Sequence, residues 1–179
     1  VGYAEGAKYV DPEIKVLTAY VGDYNDTAKA KDLANAQISE GADIIFQVAG
    51  GAGNGVIEAA AEKDGVMAIG VDSDQYQALE GSNLQPAVIT SSLKRLDNAL
   101  FNICQSYAED PSSVPFGENV TYGLAEDSVG IVFNDNLTNS IGQENVDKVQ
   151  EALEKIQAGE IEVTEAAGLS AEEIDAIVQ

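Results

Sequence analysis

The sequence contains no histidine and only one cysteine, Cys104, among its 179 residues. Without histidine, acid–base catalysis by imidazole, Ser-His-Asp triads and Cys₂His₂ zinc sites are excluded. A single cysteine can form neither an intrachain disulfide nor a Cys₄ zinc site. Because Cys104 shares an apolar helical register with Leu96, Leu100 and Phe101, we expect an inert core residue. No nucleophile is paired with a base, so we expect no enzymatic reaction and no cofactor.

Basic residues are also scarce. Nine Lys and Arg stand against 31 Asp and Glu, which gives a formal net charge of -22. Binding to nucleic acid requires clustered cations, and only Lys94 and Arg95 are adjacent in the sequence. The composition therefore predicts no nucleic-acid partner. It is typical of a solvated acidic surface, with electrostatic steering of a ligand as the alternative.

Long apolar runs are missing as well. No stretch approaches the roughly 18 apolar residues of a membrane helix, and no basic segment precedes an apolar one at the N-terminus. The opening VGYAEGAKYV has no initiating Met and resembles the back half of a helix, ended by Asp11-Pro12. We therefore expect a preceding N-terminal part that is missing from this sequence.

The most informative stretch of the chain is Ala42–Asp74. Its apolar runs Ala42–Ala49 and Val66–Val71 are typical of strands buried on both faces. Between them lies a helix from Val56, preceded by four glycines that allow a sharp turn and a close approach to a ligand: Gly50, Gly51, Gly53 and Gly55.

Asp72 directly follows the second predicted strand, 21 positions after Gly51. Ligands of open parallel sheets bind outside the carboxyl ends of the strands, where both Asp72 and the glycines are expected. A carboxylate at this point can accept hydrogen bonds from neighbouring ribose hydroxyls. A carbohydrate-bearing ligand is therefore predicted.

The flanking segments extend this pattern. Ile14–Tyr20 is predicted to be a strand, and Thr27–Ser39 a helix capped by Asn25 or Asp26. Three strands that alternate with two helices predict an α/β fold with a Rossmann-like, doubly wound parallel sheet.

After residue 75 the pattern changes, and a polar hinge precedes a short strand at Ala87–Thr90. Ser91 or Ser92 is expected to cap a long helix that ends near Glu109. Further along, the sequence predicts a small ribbon and two helices: strands Asn119–Leu124 and Val129–Phe133, helix Gln143–Ala158, and a last helix capped by Ser170 with Glu173.

The order of these segments resembles the basic membrane protein family of bacterial lipoproteins, which includes purine nucleoside receptors of ABC transporters. The segments that carry the resemblance, over roughly Gly2–Ile161, are Tyr20–Asp26, AKAKDLA, GADIIFQVAGGAGNGVIEAA, AIGVDSDQ and VITSSLKRLDNAL. The resemblance implies the second lobe of a type I periplasmic-binding-protein fold, in a C-terminal fragment of the full protein. Residues 1–86 would form most of ligand-binding lobe 2. Residues 87–117 would cross the hinge with a helix that packs on the missing lobe 1, and residues 118–179 would form the strand pair and C-terminal helices.

The resemblance also implies the partners and the location. The full-length protein would be a lipoprotein at the cell surface or in the periplasm, anchored through a lipid on the missing N-terminal part. Its partners would be a nucleoside-like small molecule and ABC permease subunits. In the fragment, the apolar stripe of the hinge-crossing helix would be exposed and would favour a homodimer.

By resemblance, Asp72 corresponds to the family's ribose-binding carboxylate and Lys94 to a lysine that contacts the ligand from the hinge. Gly50 and Gly51 would supply backbone contacts. Tyr24, which could stack on a purine, and Asn54 are further candidates because both lie in loops on the ligand side of the predicted sheet.

Two alternatives remain open from the residues. Strand, glycine turn, helix, strand and acid are also the outline of a dinucleotide-binding oxidoreductase domain. Against it, Val56 occupies the third glycine position of that motif, and the motif does not follow the first strand. The second alternative is a structural or interaction domain without a ligand, in which the glycines form only a tight turn.

Overall fold

The computed structural model describes residues 1–178, which form helices around one sheet of four strands. The helices are α1 Gly2–Val10, α2 Thr27–Ser39, α3 Gly53–Ala61, α4 Gln75–Ala78, α5 Leu96–Glu109, α6 Asp135–Ile141, α7 Gln143–Gln157 and α8 Ala171–Val178. The strands are β1 Ile44–Phe46, β2 Met67–Asp72, β3 Val88–Lys94 and β4 Val129–Ile131, in that spatial order. None of the helices described in residues 1–178 is both long enough and apolar enough to cross a membrane.

The sheet is mixed. β1, β2 and β3 are parallel to one another, while β4 pairs with β3 in the antiparallel direction. The predicted α/β class is therefore confirmed, with one antiparallel edge strand added to the parallel sheet. The parallel part carries the site, because its three strands end at one edge.

Small residues allow the two helices beside β1 to pack closely. Ala30 and Ala34 of α2 lie in one buried cluster with Ala59 of α3. A Cβ atom on Gly55 would lie only 2.0 Å from the carbonyl oxygen of Thr27. Gly55 is thus required by the close approach of the two helix backbones, which fixes the start of α3 relative to the sheet.

The predicted strand Ile14–Tyr20 is wrong. Within the described residues this segment forms no strand, and β1 pairs only with β2. This segment and β1 both line a cavity of about 880 Å³. Ile14 and Tyr20 remain exposed.

The predicted end of the third strand and start of the long helix are also wrong. β3 continues to Lys94, so Ser91 and Ser92 lie in the strand and do not cap the long helix. Ser92 pairs with Val71 on one side and with Ile131 on the other. Ladder bonds on both sides of the strand outweigh local capping by serine, and α5 begins only at Leu96.

The predicted ribbon is wrong for a related reason. Residues 119–124 form no strand, and the second predicted ribbon strand is observed as β4, which joins the main sheet. β4 thus pairs with the edge of β3 instead of with the predicted strand 119–124.

In contrast, α2 has the predicted bounds, and Asp26 caps it by accepting from the Lys29 amide at 2.9 Å. The capping box of Ser170 with Glu173 is also present.

Helix α5 turns its polar side toward its own chain. Asn98 donates to Asp127 and Asn102 donates to the carbonyl oxygen of Glu126. On the opposite side, Leu100 and Phe101 are 62% and 67% exposed. Cys104 is exposed on this apolar side too, so the expectation of a core cysteine is wrong.

Candidate functional site

The candidate site lies where the parallel strands end. Asp72 is the last residue of β2, and Lys94 is the last residue of β3. A short 3₁₀ turn at Gly50–Ala52 follows β1 and leads into α3. Because β1, β2 and β3 are parallel, these three features share the carboxyl edge of the sheet, where ligands of such sheets bind.

Asp72 and Lys94 form an ion pair at this edge. The Lys94 Nζ atom lies 2.7 Å from Asp72 Oδ1, and the two side chains are 54% and 56% exposed, respectively. Lys94 was expected in the first turn of a helix, but it lies at the end of a strand beside Asp72. Both charges are therefore accessible to a ligand, with the ammonium as donor and the carboxylate as acceptor.

The backbone at Asp72 is strained. Its φ is 67°, and the Ser73 amide donates to the carbonyl oxygen of Val71 at 2.8 Å. This is a γ-turn with a positive φ at its central residue, a rare and costly conformation outside glycine. Such strain persists where the surroundings hold it, and it is concentrated at binding sites.

The glycine turn is packed against Tyr24. Gly50 has a φ of 57°, and a Cβ on it would lie 3.2 Å from the ring carbon Cδ1 of Tyr24. The carbonyl oxygen of Tyr24 accepts from the Ala52 amide at 2.7 Å. A Cβ on Gly51 would come equally close to that oxygen, at 3.2 Å. The tyrosine ring and the bare backbone of the turn therefore form one contiguous surface.

The six predicted residues are thus partly assembled. Asp72 contacts Lys94, and Tyr24 contacts Gly50 and Gly51. Asn54 lies exposed in the first turn of α3, which begins at Gly53 rather than at the predicted Val56.

Two residues that connect these groups were missed. The side chain of Gln47, which follows β1, donates to the side chain of Gln75, three residues after Asp72, at 2.6 Å. A glutamine inside the apolar run Ala42–Ala49 was the available signal, because a buried polar side chain requires a partner.

A cavity lies apart from this edge of the sheet. The cavity of about 880 Å³ that is lined by residues 14–20 and β1 is also bordered by Tyr24, but not by Asp72 or Lys94. Tyr3 also borders it, and burial, with a further contribution from the charge of Asp43, raises the pKa of the Tyr3 phenol. Because the side chains of Lys94 and Asp72 are both more than half exposed, the candidate site lies at an open edge of the sheet.

The fold is that of solute-binding proteins. The chain is similar to an ABC transporter solute-binding protein from Aeropyrum pernix, with a TM-score of 0.70 at 23% identity over 98% of this chain and 55% of that one. A protein titled as a transcriptional activator of the comK gene, from Bacillus halodurans, has a TM-score of 0.73 at 24% identity, over 91% of this chain and 53% of that one. At these identities, the likeness establishes the fold alone.

Sequence comparison then gives the family. Residues 1–167 match the model of the Bmp family, described as ABC transporter substrate-binding protein PnrA-like, and the chain belongs to this family. It is a family of binding proteins and not of enzymes. The resemblance to basic membrane proteins is confirmed.

Several named relatives are similar over much of this chain. The ABC transporter nucleoside-binding protein BmpA of Lactococcus lactis is 36% identical over 69% of this chain and 38% of its own length. Basic membrane protein D of Borreliella burgdorferi is 41% identical over 60% of this chain and 30% of its own. The CD4+ T-cell-stimulating antigen of Listeria monocytogenes is 34% identical over 92% and 47%. The chain thus spans between about a third and a half of the length of the relatives it matches.

Proposed function

We propose that this chain is the second lobe of an extracytoplasmic substrate-binding component of an ABC transporter, and that it binds a purine nucleoside or a related ribose-containing molecule. The observation that carries the proposal is the Asp72–Lys94 pair beside the glycine turn at the carboxyl edge of the sheet. The name of the Lactococcus lactis relative, a nucleoside-binding protein, supports the ligand class.

Each group has a defined task in this proposal. The Asp72 carboxylate accepts hydrogen bonds from the two ribose hydroxyls, and the Lys94 ammonium donates to an acceptor on the sugar or base. The exposed backbone of Gly50 and Gly51 approaches the ligand without an intervening Cβ. The Tyr24 ring, which lies against Gly50, stacks on the base, with Asn54 at the margin of the site.

The other side of the binding cleft would come from the part of a full-length family member that lies outside this sequence. Residues 1–86 would then be most of the ligand-binding lobe, residues 87–117 the hinge crossing with α5, and residues 118–179 the C-terminal part. Ligand held between two lobes would shift an open–closed equilibrium toward the form that ABC permease subunits recognise. A lipid anchor on the N-terminal part would hold the protein at the cell surface or in the periplasm.

The exposed apolar stripe of α5 fits this arrangement. Leu100 and Phe101 face away from their own chain, as expected for a helix covered by the other lobe. In the 179-residue chain alone, the same stripe would support a homodimer.

The proposal is tested by titrating the chain with inosine, guanosine or adenosine and following backbone amide NMR shifts. Because one lobe supplies only part of the contacts, we expect millimolar or weaker affinity, about -4 kcal/mol, with the shifts centred on Asp72, Lys94 and the glycine turn. NAD serves as the comparison ligand for the dinucleotide alternative. Nucleoside affinity in the micromolar range would contradict the one-lobe account.

Matched variants locate the binding. Asp72→Asn and Lys94→Met should abolish the nucleoside-induced shifts, because each removes a charged partner of the ligand. Asp64→Asn is the control, since Asp64 is exposed at the opposite end of β2. Unchanged binding in Asp72→Asn would refute the proposed role of the carboxylate.

A further inference from the structure

A polar network lies beneath the carboxyl edge of the sheet. The side-chain oxygen Oε1 of Gln75 accepts from the Val71 amide at 2.9 Å and from Nε2 of Gln47 at 2.6 Å. The backbone amide of Gln75 in turn donates to the hydroxyl of Ser91 at 3.1 Å. One glutamine therefore connects the segments that follow β1 and β2 with the middle of β3.

The network is polar, and it is buried at two of its three side chains, while Gln75 is half-buried. Gln47 is 2% exposed and Ser91 is fully buried. Among the described residues, the Gln47 side-chain oxygen has no hydrogen-bond partner, so the network retains one unsatisfied acceptor. An unpaired buried acceptor destabilises the fold, and apolar side chains of similar shape would avoid that cost.

Two glycines leave the space that the network occupies. A Cβ on Gly70 would lie 2.5 Å from the Ser91 hydroxyl oxygen and 2.7 Å from Gln75 Oε1. A Cβ on Gly53 would lie 1.7 Å from the Gln47 side-chain oxygen. Neither glycine has a positive φ. Glycine is therefore required at both positions because a Cβ atom would not fit, and not because of its backbone conformation. The network and the two glycines form one fitted unit.

The network acts on the strained residue. Val71 directly precedes Asp72, and its backbone amide donates to the side-chain oxygen of Gln75. The carbonyl oxygen of Val71 closes the γ-turn by accepting from the Ser73 amide. We infer that Gln75, anchored by Gln47 and Ser91, is a positioning residue that holds Asp72 in its left-handed conformation and so presents the carboxylate to the ligand. The consequence for ligand binding rests on the proposed function, whereas the hold on Asp72 does not.

The hold on Asp72 is tested without ligand. Gln75→Met keeps the size of the side chain but removes the hydrogen-bond acceptor. Gln75→Glu keeps the acceptor, because both side-chain contacts of Gln75 go to Oε1. Hydrogen exchange at the Val71 amide should become about tenfold faster in Gln75→Met relative to the Ile69 amide. The amide–Hα coupling of Asp72 should change with it. In Gln75→Glu both measurements should return toward the parent values.

Gln77→Met is the matched control, since Gln77 is exposed in the same short helix. It should leave both measurements unchanged. If exchange becomes faster by the same factor at all amides in Gln75→Met, the residue is merely structural and the inference is overturned. The inference is also overturned if Val71 exchange and the Asp72 coupling both stay at their parent values. If Gln75→Met does not fold, Gln47→Met provides the second test, because it removes the anchor and should accelerate Val71 exchange selectively.

Titration with inosine separates this inference from the proposed function. If the parent chain responds and Gln75→Met responds with the same affinity, the positioning role is overturned. We expect about tenfold weaker binding in Gln75→Met and near-parent binding in Gln75→Glu. If the parent chain does not respond at all, the proposed function fails, while exchange at Val71 still decides whether Gln75 holds Asp72.

Discussion

Asp72 and Lys94 end two neighbouring parallel strands, and their charged atoms lie 2.7 Å apart at the edge of the sheet. An ion pair this exposed contributes only about 0–1 kcal/mol to stability. Asp72 is also held at a positive φ that an ordinary residue avoids. The chain thus keeps a strained carboxylate beside a cation for little gain in folding, which is the expected pattern at a binding site.

The strain predicts that Asp72→Gly costs the chain little or no stability. Glycine adopts a positive φ without the Cβ conflict, which relieves about 1–2 kcal/mol. Against this, the greater freedom of glycine in the unfolded chain costs about 0.5–1 kcal/mol, and loss of the exposed ion pair costs about 0–1 kcal/mol. The free energy of urea unfolding should therefore stay within about 1 kcal/mol of the parent value. Nucleoside-induced NMR shifts should be lost in the same variant.

Asp72→Asn is the control for that experiment, because asparagine tolerates the conformation but lacks the charge. Its stability should stay within about 0.5 kcal/mol of the parent chain. A clear loss of stability in Asp72→Gly would show that the turn carries no strain.

Two helix glycines should respond in opposite directions to alanine. In Gly55→Ala the new Cβ meets the Thr27 carbonyl oxygen at 2.0 Å, whereas around Gly6 in α1 there is nothing within 4 Å. Overpacking should therefore destabilise Gly55→Ala by about 1–3 kcal/mol. Gly6→Ala should stabilise by about 0.5–1 kcal/mol, because alanine restricts the unfolded chain more. Urea unfolding of both variants measures the difference, and similar values would contradict the close packing of α2 on α3.

Local patterns predicted much of this fold. Helix α2 and the Ser170 capping box depend on residues within a few positions of one another, and both were predicted. The full length of β3 was not, because Ser92 pairs with Ile131, which lies about 40 positions later. Asp72 was predicted at the sheet edge because it directly follows a predicted parallel strand, and the carboxyl ends of parallel strands lie at one edge. Its γ-turn and the Gln47–Gln75 contact depend on packing in space, which no local pattern reports.

The N-terminal helix should loosen in acid. The Thr164 hydroxyl and amide lower the pKa of the Glu5 carboxyl from its usual 4.5, and the amide contact is 3.1 Å long. Because the folded-state pKa lies below the unfolded value, the stabilisation is complete above about pH 4.5 and is lost as the pH falls through the folded-state value.

Glu5→Gln should therefore lower stability at about pH 7 and have a smaller effect at about pH 3. The Thr164 amide shift should titrate with Glu5 in the parent chain. Comparing the variant with the parent at each pH cancels the other carboxylates of this acidic chain. A difference between the two chains that does not depend on pH would rule out the proposed contact.

The apolar stripe of α5 should drive association of the chain without contributing to its folding. Leu100 and Phe101 are 62% and 67% exposed, so replacing both with serine removes few internal contacts. The double variant should keep its unfolding free energy within about 0.5 kcal/mol, since surface substitutions of this kind have small effects. Light scattering during size exclusion should then show a monomer where the parent chain forms a homodimer.

As a control, Val88→Ser, in the buried core, should destabilise by at least about 2 kcal/mol. A monomeric parent chain would contradict the homodimer, and a large loss of stability in the double variant would show that α5 packs its apolar side within its own chain.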